Sequence, residues 1–230
     1  MKILKGSIND KEILKVIIKP KTITNGEYQP KHHIHILDRS GSMSGEIENL
    51  IKDVKKTIGL LNEKDLLSVI WFASENQGKI LLQGANKNTP NIDKLLDSIA
   101  STVGCTCFSY PLSLMNQVIE ETKVLCPIFN ITLFTDGEPV VNWSIEKEEN
   151  MCFDNINKSK ENIIAFNSIG YGSSYNDKFL KKLSSLSAMG RQFHAKEIGE
   201  YKNIWNNNYN MITNCVLHNM KIEAPNSDII

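Results

Sequence analysis

From residue 34 onward, short apolar runs alternate with stretches whose apolar residues recur every three or four positions. The short runs predict strands at 34–37, 66–72, 79–82, 128–135 and 163–169. The stretches between and after them predict helices at 46–61, 92–101, 111–122, 145–160, 177–186 and 201–214. Several of the strands are apolar on both faces. The pattern predicts an α/β fold, a doubly wound and mostly parallel sheet with helices on both faces.

Two further apolar segments lie outside this alternation. Residues 13–19 and 216–223 each predict a strand, and we expect the two to pair with one another beside the main sheet. The chain accordingly divides into an N-terminal strand and loop at 1–29, a central domain at 30–215 and a C-terminal strand extension at 216–230.

Composition restricts the class of partner. The chain of 230 residues carries 26 Lys and Arg against 26 Asp and Glu, so its formal net charge is zero. Without a net positive field we expect no binding to nucleic acid, and a partner must be recognised by a local site. No stretch is apolar enough for a secretory signal or a membrane span, and the five cysteines are an odd number. We therefore expect a cytoplasmic protein.

Oxygen-bearing side chains follow two of the predicted strands and precede one helix. Asp38, Ser40 and Ser42 come directly after the strand at 34–37, and Asp136 follows the strand that ends at residue 135. Thr106 lies in a short loop before the helix at 111–122. Ligands of doubly wound folds bind at the carboxyl ends of the strands, and hard divalent cations prefer oxygen ligands. We therefore predict a divalent metal site formed by these three loops.

In this order, Asp38-x-Ser40-x-Ser42, Thr106 and Asp136 resemble the metal-ion-dependent adhesion site of von Willebrand factor A domains. The resemblance covers about residues 30–215 and is closest to the bacterial, chloride-channel-like branch, in which extra strands flank the A domain. It implies that Ser40 and Ser42 bind the metal directly, that Asp38 binds it directly or through water, and that Asp136 is often held through water. It further implies that Thr106 changes its engagement between two states, and that the ion is Mg²⁺, with Mn²⁺ or Ca²⁺ as alternatives.

The second loop departs from the family pattern, which commonly reads Gly-Gly-Thr before a small polar residue. Here Thr106 stands between Cys105 and Cys107. The two thiols could form a soft-metal or redox pair, or they could be small semi-buried residues without such a role. A second cluster, His32, His33 and His35, also has two interpretations, as metal ligands or as packing residues at the start of a strand. The favoured interpretation is structural in both cases.

The resemblance implies a non-catalytic module that holds a protein partner through its metal, with an Asp or Glu of the partner as the incoming ligand. Phe108, Tyr110 and Trp143 should lie close to the metal and contact this partner, unless they only cover the top of the core. One alternative is a metal-free structural domain or a fragment of a longer protein. Another is a metal-dependent hydrolase with Asp38 as nucleophile, although Ser40 stands where such phosphatases need a second aspartate.

Overall fold

The computed structural model describes residues 2–8, 11–17, 28–171 and 175–195, together with residues 204, 206, 207 and 209. The strands are β1 (Lys2–Ile8), β2 (Lys11–Ile17), β3 (His32–Asp38), β4 (Leu66–Phe72), β5 (Gly78–Ala85), β6 (Phe129–Thr135), β7 (Ile163–Tyr171) and β8 (Gln192–Ala195). The helices are α1 (Ile47–Ile58), α2 (Ile92–Asp97), α3 (Ser109–Thr122), α4 (Ile145–Lys158) and α5 (Asp177–Ser185), and a short 3₁₀ helix spans Gly41–Gly45.

The central sheet has six strands in the order β5-β4-β3-β6-β7-β8. All neighbouring strands are parallel except β4 and β5, which are antiparallel. The chain enters this sheet at its middle, builds outward through β4 and β5, and then crosses to β6 on the other side of β3. The strand order therefore reverses between β3 and β6. The predicted α/β class with a mostly parallel sheet is confirmed.

Helices cover both faces of the sheet because its strands are apolar on both faces. On one face α3, α4 and α5 pack against apolar side chains that include Ile34 and Ile36 of β3. On the other face α1 and α2 pack over Leu37, together with the helical residues Ile204 and Tyr209. The two layers bury the sheet and leave its carboxyl edge as the place where loops meet.

The three histidines of β3 are packing residues. The ring of His32 lies 2.8 Å from the Ser68 hydroxyl through Nε2 and 3.1 Å from the Thr122 hydroxyl through Nδ1. His32, His33 and His35 are all buried. Burial, with a smaller contribution from nearby His33, lowers the pKa of His32 and of His35 to about 3. These two rings are therefore neutral at ordinary pH.

Asp65 connects the start of β4 to the last described helical residues. Its buried carboxylate accepts hydrogen bonds from the Tyr28 and Tyr209 hydroxyls at 2.7 and 2.9 Å. The backbone N–H groups of Lys31 and Asn62 donate to it at 2.9 and 3.1 Å. Burial raises the pKa of Asp65, but the His33 ring, the Lys31 N–H and the Tyr28 hydroxyl outweigh this effect and hold the pKa at about 2. The network fixes Tyr209, which lies inside the helix predicted at 201–214.

Several element boundaries differ from the predictions. The structure adds two strands that the sequence pattern does not indicate, β1 and β8, and it ends α2 at Asp97 rather than at residue 101. β2 pairs with β1 in an antiparallel two-stranded sheet. The predicted partner of that segment, 216–223, lies outside the described residues, so the pairing of the two remains a prediction. Trp71 of β4 is half-buried, and the Arg39 guanidinium lies 4.7 Å from the centre of its ring.

A helix that spans a membrane must be both long and apolar. Among the residues that the structure describes, no helix combines the length and the apolar character that a bilayer span requires.

Candidate metal site

Asp38 lies where β3 ends, beside the end of β6, at the point where the strand order reverses. Its side chain has no exposed surface. One carboxylate oxygen accepts a hydrogen bond from the Ser40 backbone N–H at 2.8 Å, and the other accepts from the Thr135 hydroxyl at 2.6 Å. Burial raises the pKa of Asp38 to about 6, although both hydrogen bonds act to lower it. A cation beside this carboxyl would favour its charged form.

A row of hydroxyls leads from Asp38 to Asp136. The Ser40 and Ser42 hydroxyl oxygens are 3.0 Å apart, and the Ser42 hydroxyl donates to Asp136 Oδ1 at 2.9 Å. Burial raises the pKa of Asp136, and the hydrogen bond from Ser42 partly opposes that effect. Ser40 is buried, Asp136 is half-buried and Ser42 is exposed, so the row opens to solvent at Ser42.

The Thr106 hydroxyl lies next to this row. A methyl group in place of the Gly137 hydrogen would stand 3.6 Å from Ser42 Oγ and 3.8 Å from Thr106 Oγ1. The Val140 backbone N–H also donates to the Thr106 carbonyl oxygen at 2.8 Å, which joins the second loop to the third. The structure therefore brings Asp38, Ser40, Ser42, Thr106 and Asp136 to one edge of the sheet.

The first loop holds the second loop in place through Arg39 and Gly41. The Arg39 guanidinium donates to the Ser101 hydroxyl at 2.9 Å, and the Arg39 carbonyl oxygen accepts from the Val103 N–H at 2.7 Å. The Gly41 N–H donates to the Gly104 carbonyl at 3.0 Å. Gly104 has a φ angle of +67°, which glycine adopts at little cost, so this residue type suits the turn before Thr106.

The donor set suits a hard divalent cation. In an octahedral Mg²⁺ site with ligands at about 2.0–2.1 Å, adjacent ligand oxygens are about 2.9 Å apart. The two hydroxyls and the hydroxyl–carboxylate pair of this row are separated by 3.0 and 2.9 Å. Within the described part of the chain no group of three or more His, Cys, Asp or Glu side chains could hold a metal. A metal here would therefore depend on hydroxyl oxygens as well as on the two carboxylates.

The two thiols of the second loop lie in different surroundings. Cys105 is exposed, and its expected partial burial is therefore wrong. Cys107 is buried, with its sulfur 3.6 Å from the Ser109 hydroxyl and 3.7 Å from Glu148 Oε1. Cys107 thus contacts the protein interior, and the structure does not favour a paired soft-metal site.

Of the three predicted partner-contact aromatics, two have exposed surface. Tyr110 and Trp143 are half-buried, and the Trp143 indole N–H donates to Glu148 Oε2 at 2.9 Å. Phe108 has no exposed surface, and its ring centre lies 5.6 Å from that of Phe72 and 5.4 Å from that of Phe179. This position corrects the expectation for Phe108, which packs in the core beneath the loop.

Two residues around the site were missed in the sequence. Thr135 directly precedes Asp136 and supports Asp38, and the parallel pairing of Leu37 with Phe134 places it there. Glu148 lies behind the second loop. It shares a helical stripe with Cys152 and Ile156, and a carboxylate on an apolar stripe is the sequence signal that would have indicated a special environment.

No protein-family model matches the chain, and no curated protein matches it. Solved structures do. The PilB minor pilin from Streptococcus sanguinis has 14% identity over 91% of this chain and 73% of its own, with a TM-score of 0.69. A von Willebrand factor type A structure from Catenulispora acidiphila has 15% identity over 78% of this chain and 42% of its own, with a TM-score of 0.60.

A third similar structure is proximal thread matrix protein 1 from the mussel byssus with a zinc-occupied MIDAS motif, MIDAS being the metal-ion-dependent adhesion site. It has 16% identity over 81% of this chain and 46% of its own, with a TM-score of 0.58. The chain thus spans less than half of the length of this protein and of the Catenulispora one. At these identities the similarity establishes the fold, and the chain has a von Willebrand factor A-like fold.

Proposed function

We propose that the chain is a divalent-metal-dependent protein-binding module whose ion engages an Asp or Glu of the partner. The observation that carries the proposal is the row of oxygens of Ser40, Ser42 and Asp136, with spacings of 3.0 and 2.9 Å that suit one ion, beside the Asp38 carboxylate. The zinc-occupied MIDAS motif of the mussel protein supports it, because that protein has a similar fold. Mg²⁺ is the proposed ion, with Mn²⁺ or Ca²⁺ as alternatives.

The bound ion would supply a Lewis-acidic position for an anionic oxygen. Ser40, Ser42 and Thr106 offer neutral oxygens, so among these five side chains Asp38 and Asp136 alone can offset the charge of the cation. An incoming carboxylate is therefore the ligand from which the ion gains most. Ser42, the exposed end of the row, marks the side from which such a group would approach.

Binding fits Asp38 better than nucleophilic catalysis does. Its side chain has no exposed surface, and Ser40 stands two residues on, where phosphatases with an aspartate nucleophile need a second aspartate. We therefore propose a non-catalytic module rather than a hydrolase. The chloride-channel-like affiliation, the division at residues 29 and 215 and the cytoplasmic location remain predictions.

Exposed apolar side chains lie in the loops that carry the proposed metal site. Val103 and Val140 are 36% and 58% exposed, and each lies in a loop that contributes a site residue. Tyr110 and Trp143 add half-buried aromatic surface nearby in the sequence. We propose that these four side chains contact the partner around its carboxylate. Phe108 is left out of this surface because it is buried.

Divalent metal should bind with one-to-one stoichiometry. Isothermal titration with Mg²⁺ and Mn²⁺ should show binding to the wild type and none to an Asp38→Ala, Asp136→Ala double variant, because only these two side chains carry negative charge in the oxygen row. Asp97→Ala, an exposed residue paired with Lys55 at 2.7 Å, is the matched control and should bind as the wild type does. Identical titrations for the wild type and the double variant would place the metal elsewhere.

The Thr106 hydroxyl should matter more for the partner than for the metal. If it moves onto the ion while Asp136 withdraws, the ion becomes more electrophilic, and by linkage a bound carboxylate favours that state equally. The partner is first identified in a pull-down as a protein that is recovered with Mg²⁺ and is lost when a chelator is added. Thr106→Ala should then weaken this partner strongly, whereas Thr106→Ser retains most of the binding. Equal partner affinity in the wild type and Thr106→Ala would exclude the switch.

A further inference from the structure

Glu148 of α4 is a carboxylate with no exposed surface. Its Oε1 accepts from the Ser109 backbone N–H at 2.7 Å, and its Oε2 accepts from the Ser109 hydroxyl and the Trp143 indole N–H, both at 2.9 Å. The thiols of Cys107 and Cys152 lie 3.7 and 4.0 Å from Oε1. Removal of a carboxylate from water is strongly unfavourable unless donors replace the water. The geometry around Glu148 supplies these donors in full.

Two donors to Glu148 adjoin or lie in the loops of the proposed metal site, because Ser109 begins α3 directly after the Thr106 loop and Trp143 lies in the Asp136 loop. Ser109 lies three positions after Thr106, and Trp143 lies seven positions after Asp136. The same two loops are joined once more where the Val140 N–H donates to the Thr106 carbonyl at 2.8 Å. The second and third loops are therefore held together at two points, one through the backbone and one through a buried side chain.

The start of α3 is held by α4 from two directions. Ser109 is the first residue of α3, so the Glu148 carboxylate lies at the end of the helix where unpaired N–H groups and the helix dipole favour negative charge. Asn155, one more residue of α4, donates to the Ser109 carbonyl at 3.2 Å. This arrangement fixes the point from which the Thr106 loop leaves the helix.

We propose that Glu148 is a positioning residue of the metal site, an inference that rests on the proposed function. It holds the Thr106 loop through Ser109 and the Asp136 loop through Trp143, and so sets the distance between a hydroxyl and a carboxylate that share one ion. Side chains that orient metal ligands from behind typically change metal affinity by about 10–100-fold when they are replaced. The Trp143 indole N–H donates to Glu148, and part of the Trp143 ring lies at the surface. The metal loops and the proposed partner surface therefore share this residue.

The test is a Mn²⁺ titration of the full chain and four variants. Glu148→Gln keeps the shape of the side chain, but it replaces one acceptor oxygen by an N–H donor that faces other donors. Trp143→Phe removes the indole N–H together with the five-membered ring and keeps a six-membered aromatic ring. Each should weaken Mn²⁺ binding about tenfold or more. Ser109→Ala removes one of the two Ser109 hydrogen bonds and should have a smaller effect. Glu149→Gln, next in the chain and paired with Lys182 at 3.0 Å, is the control and should bind as the wild type does.

A double-mutant cycle with Thr106→Ala separates positioning from a general loss of stability. If Glu148 acts through the Thr106 loop, Glu148→Gln should have a much smaller effect on Mn²⁺ affinity in the Thr106→Ala background than in the wild type. Circular dichroism and thermal midpoints identify variants that remain folded at the titration temperature. If Glu148→Gln is unfolded, Trp143→Phe carries the same cycle.

The outcomes separate this inference from the proposed function. The positioning role would be overturned, with the metal site intact, if both Glu148→Gln and Trp143→Phe bind Mn²⁺ with wild-type affinity. It would also be overturned if their losses of Mn²⁺ affinity add fully to the loss caused by Thr106→Ala. A wild type that binds no Mn²⁺, or an Asp38→Ala, Asp136→Ala variant that binds it unchanged, would overturn both.

Discussion

Acidification of the metal-free protein from about pH 8 to about pH 5 should lower its free energy of unfolding by about 3 kcal/mol. The cause is the pair of buried histidines in β3, His32 and His35, whose pKa values fall from 6.5 to about 3 in the folded chain. Below pH 6.5 the unfolded chain binds protons that the folded chain does not. Stability is therefore complete above that pH and decreases steadily as the pH falls toward 3.

The magnitude follows from the two pKa values of each ring. At about pH 5 each histidine destabilises the fold by about 2 kcal/mol relative to neutral pH. Asp38 acts in the opposite sense, because its pKa is raised to about 6 and the folded chain takes up a proton first. At about pH 5 this proton uptake raises the free energy of unfolding by about 1 kcal/mol relative to neutral pH. Asp65, with a pKa of about 2, contributes only below about pH 4.

Urea unfolding curves at half-unit intervals between about pH 8 and about pH 5 measure this dependence. His35→Gln should lower the slope of unfolding free energy against pH by about 1 kcal/mol per pH unit, whatever its effect on stability at pH 8. Thr132→Val is the matched control, since Thr132 is buried and pairs with His35 across β3 and β6 but does not titrate. A slope near zero in the wild type, or one unchanged by His35→Gln, would contradict the prediction.

Most of the fold follows from the hydrophobic pattern alone. β4 and β7 are buried almost throughout, and this is the property that predicts strands covered on both faces. β8 was missed because Gln192–Ala195 is short and half-polar, and its structure comes from pairing with β7 at the edge of the sheet. α2 ends early because residues after Asp97 continue as tighter turns, such as the bond from the Ala100 N–H to the Asp97 carbonyl.

Some residues of the candidate site could be predicted from local sequence, and others depend on contacts between distant parts of the chain. Asp38 and Asp136 could be placed together from the sequence because both follow strands of one parallel sheet, and ends of parallel strands share an edge. The side chains that support these groups could not be predicted from the sequence, because they join positions far apart in the chain. Thr135 meets Asp38 only through strand register, and Glu148 meets Ser109 only through the packing of α4 on α3.

Replacement of Phe108 by alanine should destabilise the protein by about 3–5 kcal/mol, the usual range for the removal of a buried phenylalanine side chain. The ring has no exposed surface and packs against Phe72 and Phe179, so alanine would leave a cavity where three aromatic rings meet. Phe108→Leu fills part of that space and should lose less. Tyr110→Ala, at a half-buried position two residues on, should cost less than about 1 kcal/mol.

The partner assay gives the opposite order for the same variants, and the comparison decides which aromatic side chains belong to the binding surface. At a temperature where every variant is folded, Phe108→Leu should bind the metal-dependent partner as the wild type does, because its side chain stays beneath the loop. Tyr110→Ala should weaken that partner while Mn²⁺ affinity is retained. If the free energy of unfolding of Phe108→Ala lies within about 1 kcal/mol of the wild-type value, the Phe108 ring is not buried in solution. Loss of partner binding in Phe108→Leu with unchanged stability and Mn²⁺ affinity would restore Phe108 to the contact surface.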